Sequence, residues 1–489
     1  EPSSVQEAKD FTKLSFELSE KFNLPFLLRT VTRLNHASGI VELGRIPEKK
    51  IEKVDWQRNP RTDVILPAHA RQLKPLLFKK LEKLQNYFSK STINWVEHGN
   101  GDKENKGIIA SGLSYVYVKE ALKRLNAGLP VLKISSMYPI PEKLIADFIS
   151  ELDSVAVVEE VDPFLETHVR VIAAEYGVEV TGKMNGVFPL HYENNVSRVE
   201  EGVARFLGIK SSVNCSEALQ KATEIAKLAP PRPPVLCPGC PHTASFYAIR
   251  KVVNEIGDAS MPSDIGCYTL GINTPLEAVD ITICMGASVG VSNGLSYFLN
   301  QPIIATIGDS TFFHAGIPPL INAVYNGNRF VLVILDNLTT GMTGHQPHPG
   351  MGAKGCGEEA KTVRIEDVVK GIGVDFVEVV NPYNISKMED ALHRALNHDG
   401  VAVIIARQKC AILWTRERKR KGIRITPFYV TDKCNGCMKC VAEFTCPAIY
   451  VGDRMEGGLK TQIDEVLCAG CGVCATVCPE RAIKATKAR

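Results

Sequence analysis

The sequence predicts an α/β protein made of parallel-sheet units and closed at its C-terminal end by a small, cysteine-rich α+β domain. Three observations carry this expectation. Apolar runs ending in small residues alternate with segments of helical spacing along most of the chain. The stretch Ala229-Pro-Pro-Arg-Pro-Pro234 interrupts the alternation and divides it in two, as a stiff linker does. Eight of the 15 cysteines then crowd into the last 56 residues. At 489 residues the chain exceeds what one core supports, so several domains are expected.

In chain order, residues 1–45 read as the end of an α/β unit, with a strand from Leu24 to Thr30, and residues 46–95 as a connecting segment. The unit over 96–210 is expected to hold strands near Gly107 to Gly112, Val131 to Ile134 and Ser154 to Glu160. Helices over Tyr115 to Leu125 and Glu142 to Leu152 separate them. Glu159 and Glu160 read as a solvated strand end. Residues 211–234 read as the proline-rich linker. The second unit, 235–415, is expected to carry a strand ending at Gly308, a helix over His314 to Asn326, and strands from Phe330 to Leu335 and Val401 to Ala406. The basic run Arg416-Glu-Arg-Lys-Arg-Lys421 reads as a solvated linker into the last domain, 416–489.

Composition narrows the class. Lys plus Arg exceed Asp plus Glu by 57 − 54, or +3, which gives no global basic field of the kind nucleic-acid binders show. No signal-peptide pattern and no apolar run of about 18 residues is visible, so no membrane partner is expected. A cysteine usage of this kind fits a reducing compartment, and a cytoplasmic location is expected.

The tail cysteines have a specific spacing. The first run is Cys434-x2-Cys437-x2-Cys440-x5-Cys446-Pro447, and the second is Cys468-x2-Cys471-x2-Cys474-x3-Cys478-Pro479. Three thiolates at x2 spacing wrap one cubane cluster, while the fourth cysteine, before Pro, closes the other. The expected [4Fe-4S] ligand sets are therefore Cys434, Cys437, Cys440 with Cys478, and Cys468, Cys471, Cys474 with Cys446. Zinc sites or disulfides are the competing readings, and the doubled pattern speaks against both. Such a domain moves electrons one at a time.

In the second unit, Gly308-Asp309-Ser310 ends an apolar strand and Asn337 follows the next strand, 28 residues after Asp309. Both residues are thus expected at the carboxyl ends of parallel strands, where open α/β sheets bind ligands. A carboxylate, an amide oxygen and a nearby carbonyl, with two phosphate oxygens and water, complete an octahedral Mg²⁺ site. The run resembles the thiamine diphosphate signature, with Ser310 where a second glycine is usual. By that resemblance, Asp309, Asn337 and the Thr339 carbonyl hold magnesium, and Gly308 and Ser310 line the cofactor. The turn Met285-Gly286-Ala287-Ser288 is expected along the diphosphate, its backbone N–H groups and the following helix N-terminus favouring negative charge. His314 and His345 lie on the ligand side of the sheet and are candidates for contact with the diphosphate or a substrate carboxylate.

The runs Pro234-Val-Leu-Cys-Pro-Gly-Cys-Pro-His242, Asp264-Ile-Gly-Cys-Tyr268, Cys284-Met-Gly-Ala-Ser288, Gly308-Asp-Ser-Thr-Phe-Phe-His314 and Met342-Thr-Gly-His-Gln-Pro-His-Pro-Gly350 together resemble the large subunit of the indolepyruvate:ferredoxin oxidoreductase family. The resemblance implies oxidative decarboxylation of an aryl pyruvate with coenzyme A to the aryl-acetyl-CoA and CO2. Electrons would pass to ferredoxin, and a small beta subunit and further oligomerisation are implied. Pyruvate or branched-chain 2-oxo acids are alternative substrates, and a non-catalytic electron-transfer module is an alternative of another class. The family likeness further implies a third [4Fe-4S] cluster on Cys237, Cys240, Cys267 and Cys410; buried apolar thiols are the plainer reading of Cys267 and Cys410. Cys215, Cys284 and Cys356 read as buried thiols. By resemblance, residues 1–45 end a pyrimidine-binding domain, residues 96–210 form a transketolase C-terminal type of domain, and the pyrimidine-binding half with its glutamate lies outside this chain. The basic run 416–421 acquires a second reading, as a docking patch for an acidic ferredoxin or an anionic cofactor.

Overall fold

The structure, a computed structural model, describes residues 1–45, 57–99, 105–211, 215–230, 233–455 and 458–486. The side chains of residues 215–218 and 453–458 lie outside that description. The chain divides into two units, Glu1–Pro230 and Pro231–Arg489.

The first unit is built on a five-stranded sheet in the order β1-β3-β2-β4-β5, formed by Trp95–Glu97, Val131–Ile134, Lys106–Ser111, Ser154–Val158 and Glu179–Thr181. All neighbours run parallel except β1, which pairs antiparallel with β3. Alternate residues of a strand face opposite sides, and here both sides are covered. Ile108 and Ala110 of β2 pack with Val118 and Ala121 of the helix Gly112–Arg124 and with Val199 and Val203 of the helix Val196–Leu207. Ile109 of β2 faces the other core, with Ile145 and Ile149 of the helix Glu142–Ile149 and Leu165 and Val169 of the helix Phe164–Tyr176. Continuous apolar strands are what a sheet buried on both faces requires.

Three expectations in this unit are corrected. Residues 24–30 form no strand with the described residues; Leu24 and Phe26 instead pack beside Leu18 of the helix Val5–Phe22 and Leu84 of the helix Pro67–Phe88, while Leu27 stays 93% exposed. The segment read as a linker contains the helix Cys215–Ala226. Glu159 and Glu160 are buried rather than solvated, because both carboxylates are used internally. Glu159 accepts the Leu165 and Glu166 backbone N–H groups at 2.7 and 2.8 Å, capping the helix Phe164–Tyr176, and Glu160 accepts Asn194 N–H at 3.0 Å.

The second unit holds a four-stranded parallel sheet in the order β6-β7-β9-β8: Ile304–Gly308, Phe330–Asp336, Val401–Arg407 and Phe376–Val380. Phe330, Leu332 and Ile334 face a core with Val289, Leu320 and Val369, contributed by the helices Ala287–Leu295, Ile317–Tyr325 and Ile365–Ile372. Val331, Val333 and Leu335 face the opposite core, beside the helices Pro241–Ile256 and Ile385–Leu396. That second core also contains Phe444, Ile449, Val473, Val477 and Ile483 of the C-terminal cysteine domain. Tyr247 meets Phe444 edge-on at 5.6 Å. The cysteine domain adds two antiparallel pairs, Phe428–Val430 (β10) with Ile483–Ala485 (β13) and Ile449–Met455 (β11) with Gly458–Ile463 (β12). The basic run is not a linker: it forms the end of the helix Ala411–Arg420, where Arg418 stacks on Trp414 at 4.6 Å. Among the described residues, no helix is long and apolar enough to cross a membrane.

Candidate active site

β6 and β7 end side by side, Gly308 opposite Leu335, so the residues that follow them converge at the carboxyl edge of the sheet. Asp309 is buried, and Thr339 N–H donates to its Oδ2 at 3.3 Å. Asn337 Oδ1 accepts the same Thr339 N–H at 3.1 Å. Leu338, between them, has φ +58°, a left-handed conformation that an L residue holds only when its surroundings impose it. Ser310 is fixed by its N–H to Asp309 Oδ1 at 2.7 Å and by Thr340 Oγ1, which donates to Ser310 Oγ at 2.9 Å. Gly308 is needed for space, because a Cβ there would stand 2.6 Å from the Tyr268 ring.

The histidine that reaches Asp309 is His348. Its Nδ1 accepts Gly350 N–H at 3.2 Å, which leaves Nε2 to donate to Asp309 Oδ2 at 3.1 Å. His314 is exposed on the π-turn Phe312–Gly316, and neither it nor His345 makes this contact. His345 has φ +65° and a buried Nδ1 with no partner among the described residues; burial first, and Arg416 second, hold its pKa below the ordinary imidazole value. A second missed histidine is His242, fully buried, whose Nε2 accepts Asn337 Nδ2–H at 3.0 Å. Burial pushes its pKa down to about 4. The motif that contains each was visible in the sequence; nothing in the spacing distinguished His348 and His242 from their neighbours.

The turn Met285 to Ser288 does not offer its N–H groups freely. Asp264 accepts Ser288 N–H and Ser288 Oγ–H, each at 2.8 Å, and so occupies the N-terminus of the helix Ala287–Leu295. At Ser288, therefore, a buried carboxylate already answers the backbone donor that was expected to favour a diphosphate. Gly286 has φ +91° and packs against Ala315, while Met285 is 43% exposed.

Asp336 lies against Asp309. Burial and then the Asp309 charge push its pKa up to about 6, against the pull of Arg407, whose Nε donates to Asp336 Oδ2 at 2.6 Å. The same guanidinium holds Glu366 at 2.7 Å, and Glu366 falls to about 2. One cation thus serves two of three neighbouring carboxylates. Asp309 remains buried beside Asp336, with Thr339 Oγ1 buried and unpartnered among the described residues, which is the environment a divalent cation completes. The donor set therefore fits Mg²⁺.

The cysteines fall into three sets. Cys434, Cys437, Cys440 and Cys478 line one small cavity, together with Thr461 and Ile483. Cys446, Cys468, Cys471 and Cys474 line another, walled by Phe428, Phe444 and Ile463. Cys237 and Cys410 each act electrostatically on Cys240 and on Cys267, and Cys410 acts on Cys237, which brings the four into one neighbourhood. Cys410 N–H donates to the Asn337 carbonyl at 3.0 Å, and Cys267 Sγ stands 3.4 Å from where a Cβ on Gly341 would be. All twelve are free thiols. Among the described residues no three His, Cys, Asp or Glu side chains converge as a single-ion site requires, whereas the thiolates around a cubane each bind a separate iron. Cys284 and Cys356 are exposed, not buried, and the Cys215 side chain lies outside the described residues.

Residues 264–406 match the family model "Thiamine pyrophosphate enzyme, C-terminal TPP binding domain", and residues 412–482 match "4Fe-4S dicluster domain". Over 487 residues the chain is 65% identical to the indolepyruvate oxidoreductase subunit IorA of Archaeoglobus fulgidus, covering all of this chain and 76% of that one. The chain belongs to the IorA family of indolepyruvate oxidoreductase subunits. The IorA subunit of Thermococcus kodakarensis is 42% identical, with 100% of this chain and 77% of that one covered. A 2-oxoglutarate:ferredoxin oxidoreductase structure from Magnetococcus marinus overlaps 38% of this chain and 70% of its own, at 18% identity and a TM-score of 0.34. IorA family membership and the two domain matches make this chain part of a thiamine-diphosphate-dependent, iron–sulfur oxidoreductase.

Proposed function

We propose that this chain is the large subunit of an oxidoreductase that decarboxylates aryl pyruvates, indolepyruvate among them, with coenzyme A, giving the aryl-acetyl-CoA and CO2 and delivering electrons to ferredoxin. The observation that carries the reading is the meeting of Asp309, Asn337 and Thr339 with the Cys237, Cys240, Cys267 and Cys410 set at one sheet edge. Asp309 carboxylate, Asn337 amide oxygen and the Thr339 carbonyl would hold Mg²⁺ against a diphosphate. Thiamine diphosphate, when bound, supplies a nucleophilic carbon and an electron sink for loss of CO2. His348 holds Asp309 in place, Arg407 ties down Asp336, and Tyr268 walls the strand end at Gly308. The three cysteine sets would each take a [4Fe-4S] cluster, a group that accepts electrons singly.

A small beta subunit, ferredoxin and self-association are proposed as partners by family likeness, and a cytoplasmic location by the thiol chemistry. Anaerobic viologen reduction by the assembled oxidoreductase tests the reading, comparing indolepyruvate with pyruvate, each with and without coenzyme A. Coenzyme-dependent reduction favouring indolepyruvate is expected. A preference for pyruvate would replace the substrate class, and no reduction by either with iron in place would leave an electron-transfer module.

A further inference from the structure

The metal-site amide and the nearest cysteine set are joined through one side chain that no functional role yet uses. Asn337 has its Oδ1 on Thr339 N–H, so its amide nitrogen must face the other way, where His242 Nε2 accepts it at 3.0 Å. His242 sits in the first turn of the helix Pro241–Ile256, two residues beyond Cys240. The backbone N–H groups of His242 and Thr243 point at the Cys240 sulfur. The ring is fully buried and meets Tyr268 edge-on at 5.9 Å, and Tyr268 in turn packs over Gly308. Asn337 is held from its other end too, by Cys410 N–H on its carbonyl.

We propose that His242 is a positioning residue that fixes the Asn337 amide with its oxygen toward the metal, and so ties the cysteine set around Cys240 to the cofactor's metal site. The inference rests on the functional reading above. A turned amide would present its NH2 group to the cation, and an NH2 group binds no metal. Thr339 N–H holds the amide oxygen from one side and His242 the amide nitrogen from the other; without that acceptor a buried donor is left unpaired. The imidazole thus acts on the metal at one remove, through the amide.

The test uses the assembled, iron-loaded oxidoreductase and reads Mg²⁺–thiamine diphosphate affinity by equilibrium titration, with iron content measured alongside. His242→Phe keeps the ring volume and removes the acceptor, so affinity is expected to fall about tenfold with iron unchanged. His242→Gln places an amide oxygen near the Nε2 position and should restore affinity to within about twofold. Wild-type affinity in His242→Phe, or equal weakening in both variants, overturns the proposal. Loss of iron from both variants also overturns it, since His242 would then be part of the cluster's walls only. Failure of the wild-type complex to bind thiamine diphosphate would instead defeat the functional reading, and this inference with it.

Discussion

At the scale of single residues, the chemistry depends on how buried charge is compensated. His348 donates to Asp309 at 3.1 Å, and a hydrogen bond to a charged group contributes about 1.5–3 kcal/mol. His348→Ala should therefore weaken Mg²⁺–thiamine diphosphate binding about tenfold or more, whereas His314→Ala should change it less than about twofold; cofactor titration of the two variants decides. Glu159 supplies a pH signature. Burial pushes its pKa up to about 7 from the ordinary 4.5, so the folded state holds its proton more tightly than the unfolded chain. Its contribution is complete below about pH 4.5 and is lost as pH rises through about 7, on the order of 2–3 kcal/mol. Urea unfolding followed across that window should show stability falling as pH rises from about 4.5 to about 7, and Glu159→Gln should flatten the dependence. The positions of Asp309 and Asn337 at strand ends were legible in the sequence because apolar strands precede them, and the grouping of the tail cysteines was legible in their own x2 spacing. His348, His242 and Asp264 were not, because each matters through a partner distant along the chain, Asp309, Asn337 and Ser288; the burial of Glu159 was not, because a carboxylate at a strand end shows nothing of the helix start that it caps six residues on.

At the scale of elements, the sequence reading placed the central strands closely, and the expected strand from Val131 to Ile134 has the observed bounds. Strands buried on both faces declare themselves as unbroken apolar runs. Short edge strands do not, which is why Trp95–Glu97 and the half-exposed Phe376–Val380 were unexpected. The basic segment misled in the other direction: its charges suggested a solvated linker, but Ala411, Trp414 and the capping contacts carry a helix through it. The loop Cys237 to Cys240 carries an element-level prediction. Gly239 has φ +71°, its N–H points to the Cys446 sulfur, and a Cβ there would stand 2.6 Å from Ala469 Cβ. Gly239→Ala should therefore cost about 1 kcal/mol in backbone strain and push the loop off the Cys446 set. Iron analysis should show about one cluster's worth of iron lost, and retention of full iron would contradict this packing.

At the scale of the whole molecule, the division at residue 230 was legible from the proline-rich stretch, while the union of the last two domains was not. Separate domains leave separate cores, yet here Phe444, Val473 and Ile483 lie in one core with Val333 and Ile404, and a sequence does not say which apolar faces will share. Tyr247 adds a ring contact across that seam, edge-on to Phe444 at 5.6 Å. Opening that seam would expose the apolar surface of the shared core, at a cost of about 25 cal/mol per Å², so the cysteine domain is expected to stay docked during turnover rather than swing between a loading and an unloading position. A carrier on a flexible arm slows as the solvent thickens; this one has no stroke to be damped. Pre-steady-state reduction of the clusters by 2-oxo acid should keep its rate when sucrose raises the viscosity about threefold, with only the encounter with the external acceptor slowed. A cluster-reduction rate that fell in proportion to viscosity would mean that the seam opens in each cycle.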